Sequence, residues 1–126
     1  MSDMKKILVI DDEPDMVTWL TTIFEDNGYT TISAGSGAEG FSKAKEEKPD
    51  LITLDVSMDQ ESGLKALRNL QETPDTAGIP IIMVTGVSPD IKRFITRNKK
   101  VEMPAAFMEK PVDPEELVKT AKGLIG

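Results

Sequence analysis

The chain has 126 residues, 39% hydrophobic, 29% charged and 5% aromatic, which suffices for one compact domain with one core. Its 22 acids against 15 bases leave a net charge of −7, which disfavours sequence-independent nucleic-acid binding through a broad basic surface. Cysteine and histidine are both missing, so disulfides, thiolate zinc sites, Cys nucleophiles and histidine acid–base schemes are excluded. Any metal must therefore be held by oxygen, which selects hard cations such as Mg²⁺, Mn²⁺ or Ca²⁺.

The opening MSDMKKILVIDDE has an apolar run of only four residues before its acids, unlike a secretory signal, and no segment approaches membrane-spanning length. A cytoplasmic protein is expected. Residues 5–10, KKILVI, read as a buried strand closed by Asp11 and Asp12. Pro14 then suits the first turn of a helix carrying Met16, Val17, Leu20, Ile23 and Phe24 at helical spacing, stopped by Asn27 and Gly28. A second strand spans 29–34. Ser36 and Glu39 form a capping box for a helix that ends before Pro49.

The third strand, DLITLD at 50–55, ends on Asp55 and precedes a helix around 62–72 with Leu64, Leu67 and Leu70 turned inward. IPIIMVTG at 79–86 is the fourth strand, and Ser88-Pro89 opens a helix with Ile91, Phe94 and Ile95. The fifth strand is AAFMEK at 105–110. Asp113-Pro114 with Glu116 caps a last helix whose Leu117, Val118, Ala121, Leu124 and Ile125 form one stripe. Near-continuous apolar strands alternating with helices predict an open, doubly wound α/β fold: five parallel strands covered by five helices, as one domain over 1–126.

In such a sheet, ligands bind beyond the carboxyl ends of the strands, where the strand order reverses. Those ends carry Asp11 and Asp12, then Asp55, Thr85 and Lys110. Crowded carboxylates raise each other's pKa unless a cation lies among them. Mg²⁺ needs few protein ligands and leaves positions for water or phosphate oxygens. Lys110 and Thr85 add a point charge and a hydroxyl of the kind a phosphoryl group requires. The set fits phosphoryl transfer to or from a carboxylate.

Asp11-Asp12, Asp55-x-x-Met58, Gly63, Val84-Thr85-Gly86 and Lys110-Pro111 together resemble the receiver domain of two-component response regulators, in order and across essentially the whole chain. The resemblance implies a flavodoxin-like receiver fold and a phosphoacceptor switch, not a conventional enzyme. It implies that Asp55 takes a phosphoryl group from phosphohistidine on a sensor histidine kinase or phosphotransfer protein. Asp12 would bind Mg²⁺ directly, with Mn²⁺ as the alternative ion. Asp11 would act through water, and Asp55 and the backbone carbonyl of Ser57 would complete the metal ligands. Thr85 would hydrogen-bond the phosphoryl group and Lys110 would pair with it. Phe107 would take the aromatic switch position, and Lys110-Pro111 resembles the family's usual cis turn. Output would pass to a downstream protein through the face made by the fourth helix, fifth strand and fifth helix, without direct nucleic-acid contact or membrane insertion.

Other readings compete. Gly35-Ser36-Gly37-Ala38-Glu39-Gly40 matches a dinucleotide-binding G-x-G-x-x-G, but it follows the second strand, and Glu39 would face a pyrophosphate. A glycine-rich turn with a Ser36/Glu39 cap is the preferred reading. Lys92, Arg93, Arg97, Lys99 and Lys100 form a basic cluster, either a solvated face or a selector of acidic partners. Met58, Met83, Met103 and Met108 are read as core filler. Asp59 stands where receivers usually carry proline, Phe107 lacks the common tyrosine hydroxyl, and the span from Thr85 to Lys110 is longer than usual. Val87 puts an apolar group near the rim. The alternatives to a stand-alone phosphorylatable receiver are a phosphorylation-independent binding module of the same fold, and a small nucleotide-binding or phosphatase α/β protein.

Overall fold

The computed structural model describes residues 4–55, 60–86, 95–97 and 101–126, with the side chains of 60–62 left aside. The apolar runs form β1 (Lys6–Ile10), β2 (Thr30–Ala34), β3 (Leu51–Asp55), β4 (Ile81–Thr85) and β5 (Ala106–Glu109). Between them lie α1 (Pro14–Asp26), α2 (Gly37–Glu47), α3 (Gln60–Glu72), α4, helical at 95–97, and α5 (Pro114–Ile125). All strand pairs are parallel, in the order β2-β1-β3-β4-β5. The chain steps outward from β1 to β2 and then back across to β3. The order therefore reverses between β1 and β3, where a doubly wound sheet opens its crevice.

Alternation along the strands divides the core into two layers. Leu8, Ile10, Ile52, Leu54, Ile81 and Met83 pack beneath α2 and α3, joined by Leu64, Leu67, Leu70 and Ile95. Ile7, Val9, Leu51, Ile82, Val84 and Met108 face α1 and α5, against Leu20, Phe24, Leu117 and Ala121. A sheet covered on both faces needs apolar side chains at every strand position, which is why the central strands read as unbroken runs. Phe24 and Tyr29 meet edge to face with centroids 6.0 Å apart, closing the base of α1 onto the start of β2.

The helix signals hold, with adjustments. Pro14 opens α1, and Ser36 Oγ accepts the Glu39 amide at 3.1 Å. Glu39 completes the box one residue early: its Oε1 accepts the Gly35 amide at 2.6 Å instead of the Ser36 amide. At α5, Asp113 Oδ1 accepts the Glu115 amide at 2.9 Å, so Glu116 takes no part in the cap. Helix α3 starts at Gln60, two residues before the expected 62. Two apolar assignments are corrected. Leu124 is exposed, because the core-facing stripe of α5 runs from Ala121 to Ile125 and leaves Leu124 to one side, and Met103 is exposed in the chain leading to β5. Ile91 and Phe94 lie outside the described residues.

Gly40 is needed for α2 to approach β1 closely. A Cβ there would lie 2.3 Å from Ile10 Cδ1 and 2.7 Å from Ile10 Cγ1. Ile10 is β-branched, buried and hemmed in, so it has little room to yield. Gly40→Ala is expected to destabilise the fold by about 1–3 kcal/mol, read as a lower urea midpoint. Combining it with Ile10→Ala should cost less than the two changes summed. Strict additivity would mean that the two residues do not touch.

Candidate functional site

Sheet register assembles the site. Ile10 pairs with Leu54, so the next residues, Asp11 and Asp55, end adjacent strands at the same level. On the far side Asp55 pairs with Val84 and Thr85 with Glu109, which brings Lys110 to the same rim. The Lys110 amide donates to the Thr85 carbonyl at 2.9 Å and fixes its Cα relative to β4. The Lys110-Pro111 peptide is cis. The Asp11 amide donates to the Ala34 carbonyl at 3.0 Å, holding the first carboxylate beside β2.

Lys110 Nζ lies 2.8 Å from Asp55 Oδ2, a charge-assisted hydrogen bond, and 3.7 Å from Glu13 Oε1. The Asp55 side chain is only 2% exposed and that of Lys110 19%. Asp11 is also buried. Its Oδ1 accepts the Glu13 amide at 2.9 Å, while its Oδ2 has no hydrogen-bond partner. Burial, reinforced by the Asp55 carboxylate, pushes Asp11 up to about 7, against the opposing effects of the Glu13 amide and Lys110. For Lys110, partial burial lowers the pKa, but Asp55, Asp11 and Glu13 together outweigh it and the ammonium is held more firmly.

The carboxylates of Asp11, Asp12, Glu13 and Asp55 bring oxygens within 4.8 Å of one another, a donor set suited to a hard cation. Asp12 and Glu13 are exposed and can complete coordination from the solvent side. Gly63 and Ala66 of α3 leave a cavity of about 40 Å³ beside Asp11, Asp12 and Asp55, enough for an ion with an attendant water. Asp11 Oδ2, buried without a donor, is the atom such a cation would satisfy.

Thr85 is buried at the end of β4. Through the Met83–Phe107 and Thr85–Glu109 pairings it stands diagonally across from Phe107 on one sheet face. Phe107 is half-buried against the core layer beneath α3. Structure thus brings together Asp11, Asp12, Asp55, Thr85 and Lys110, with Phe107 one step below. Ser57, Met58, Asp59 and Val87 lie outside the described residues, as do Lys92, Arg93, Lys99 and Lys100 of the basic cluster; Arg97 is exposed. Glu13 is the site residue that sequence reasoning missed.

The glycine-rich stretch is a packing and capping feature. Gly35 and Ser36 are occupied by Glu39, and Gly40 is required by Ile10. The Gly35 amide, followed by Lys43 at 3.5 Å, holds the Glu39 carboxyl below its usual range, so the start of α2 is already capped by negative charge.

Comparison with known proteins agrees with this fold. The response regulator receiver domain family matches residues 7–122. Protein PilH of Pseudomonas aeruginosa is 31% identical over 122 residues, covering 97% of this chain and 98% of PilH. The alkaline phosphatase synthesis transcriptional regulatory protein PhoP of Bacillus subtilis is 35% identical over 122 residues, or 96% of this chain and 48% of PhoP. The chemotaxis protein CheY4 of Vibrio cholerae superposes with a TM-score of 0.83 at 27% identity, over 96% of this chain and 98% of CheY4.

Asp11 gives the metal-free protein a pH signature. Burial and the Asp55 carboxylate push its carboxyl up to about 7 in the folded protein, against 3.8 for an unperturbed aspartate. Between those values the native state binds more protons than the unfolded state, so stability falls as pH rises. With chelator present, the contribution of Asp11 to stability is expected to be fullest below about pH 4 and to decline towards pH 7. Asp11→Asn should flatten that decline and leave the protein more stable than wild type above pH 7. Urea unfolding across pH checks this; an undiminished decline in the Asn variant would assign it to another group.

Proposed function

The chain belongs to the response regulator receiver domain family, and on that footing we propose that it is a two-component switch whose phosphoacceptor is Asp55. One observation carries the assignment: a carboxylate 2% exposed at the strand crevice, with the Lys110 ammonium 2.8 Å away. A structural carboxylate would not need to stand among three other acids. A nucleophile that must receive a dianionic group benefits from a fixed ammonium beside it.

Asp55 Oδ attacks the phosphorus of a phosphohistidine on a sensor kinase or phosphotransfer protein. The O–P bond forms, the P–N bond breaks, and the departing imidazole keeps the bonding pair and takes up a proton. Lys110 follows the charge from the Asp55 carboxylate to the phosphoryl oxygens, which it reaches from its present place without rebuilding the backbone. Asp11, Asp12 and Asp55 are the side chains that would hold Mg²⁺ or Mn²⁺, whose charge offsets that of the phosphoryl oxygens.

Thr85 would hydrogen-bond the new phosphoryl group. Because Phe107 is its diagonal neighbour, a shift of Thr85 changes the space available to that ring. The resulting bias between two surface arrangements would be read by a downstream protein at the face of α4, β5 and α5. No described helix is long and apolar enough to cross a membrane, in keeping with a partner met in solution.

Intact-mass measurement after incubation with Mg²⁺ and acetyl phosphate tests the assignment. One phosphoryl group should be gained by the wild type and none by Asp55→Asn. Lys110→Ala should slow uptake on the order of 100-fold, the usual effect of deleting a charge-stabilising donor. No uptake by the wild type, or uptake that survives Asp55→Asn, would leave the phosphorylation-independent binding module as the better reading.

A further inference from the structure

Glu13 is the residue immediately before α1, where a side chain ordinarily caps the helix. Ser36 does so for α2 and Asp113 for α5. Glu13 makes no such cap. Its backbone amide is tied to Asp11 Oδ1 at 2.9 Å, so its Cα is anchored at the rim, while its carboxylate lies 3.7 Å from Lys110 Nζ.

Two of the partners of Lys110 are unlike. The inner one, Asp55, is 2% exposed and hydrogen-bonded at 2.8 Å. The outer one, Glu13, is 60% exposed and beyond hydrogen-bond range. For phosphorus to reach Asp55 Oδ2, the ammonium bonded to it must give way, and afterwards it must follow the charge outward onto the phosphoryl oxygens. Both movements lead towards solvent, the side on which Glu13 stands.

We propose that Glu13 is a positioning residue for Lys110: an outer station that draws the ammonium off Asp55 and holds it where the incoming phosphoryl oxygens will lie. This role rests on Asp55 being the phosphoacceptor. Glu13 touches neither the phosphorus nor the attacking oxygen; its effect on the transfer passes through Lys110, and saturating magnesium separates that effect from any share it takes in holding the cation.

Two effects of its charge oppose each other, which makes the role testable. If Glu13 merely repelled anionic phosphodonors, removing the charge would speed phosphorylation. If it positions Lys110, removal leaves the ammonium seated on Asp55 and slows the reaction.

The test compares initial phosphorylation rates with acetyl phosphate, at magnesium concentrations saturating each protein, for wild type, Glu13→Gln and Glu13→Asp. Glu13→Gln should be about fivefold slower, the scale of one partly exposed ion pair. Glu13→Asp, which keeps the charge on a shorter arm, should recover part of the rate. In parallel, the ¹⁵Nζ resonance of Lys110 in the unphosphorylated protein should shift in Glu13→Gln, which a loss of folding stability alone would not produce. A Glu13→Gln rate equal to or above wild type, or an Asp variant no better than Gln, overturns the role while leaving the Asp55 assignment intact. Wild-type protein that takes up no phosphoryl group overturns both.

Discussion

The hydrogen bond from Lys110 Nζ to Asp55 is the interaction on which the rest of the site depends. A carboxylate 2% exposed at the end of a buried strand, beside another buried carboxylate, is costly to ionise unless a cation stands against it. Lys110 is that cation, and much of the sheet geometry delivers it. The β4–β5 register sets its level, and the bond from its amide to the Thr85 carbonyl locks its backbone to the strand beside Asp55. A chain that needed only a stable sheet would place apolar or singly charged residues at these ends. This one gathers four acids and one ammonium at a common rim.

The same crowding links stability to function. Asp11 Oδ2 is buried without a donor, and the Asp11 carboxyl is pushed up by burial and by Asp55. The core layers beneath are closed mainly by aliphatic side chains. A rim held in this state responds strongly to added positive charge or to a new anionic group on Asp55. Thr85 and Phe107 are diagonal neighbours on β4 and β5, so in the proposed switch they would carry the response across these two strands. A local change of charge is thereby placed next to a ring that is only half-buried.

Much of this was legible in the sequence because strands and charges are punctuated together. ILVI stops at Asp11, LITL at Asp55 and IIMV at Thr85, so a reader who finds the apolar runs also finds the rim. Helix starts were legible for the same local reason, through Pro14, Ser36 and Asp113. Properties decided by tertiary distance were not. Glu13 reads as one more acid in a run of three, and only the arrival of Lys110 from β5 distinguishes it. Leu124 continues the apolar stripe of α5 in sequence but falls to the side of the line from Ala121 to Ile125 that meets the core. Gly40 fits a nucleotide-binding pattern in sequence, whereas its actual constraint is the side chain of Ile10 on a neighbouring strand.

The central claim is that this rim is assembled to be neutralised, by Lys110 from within and by a divalent cation among Asp11, Asp12 and Asp55. Calorimetric titration with Mg²⁺ at pH 7, repeated in two buffers of different ionisation enthalpy, tests it most directly. With the Asp11 carboxyl pushed up to about 7 by burial and by the Asp55 carboxylate, cation binding should expel a proton from the rim, read as a binding enthalpy that differs between the two buffers. Binding with no proton released, or no binding at all, would contradict the account.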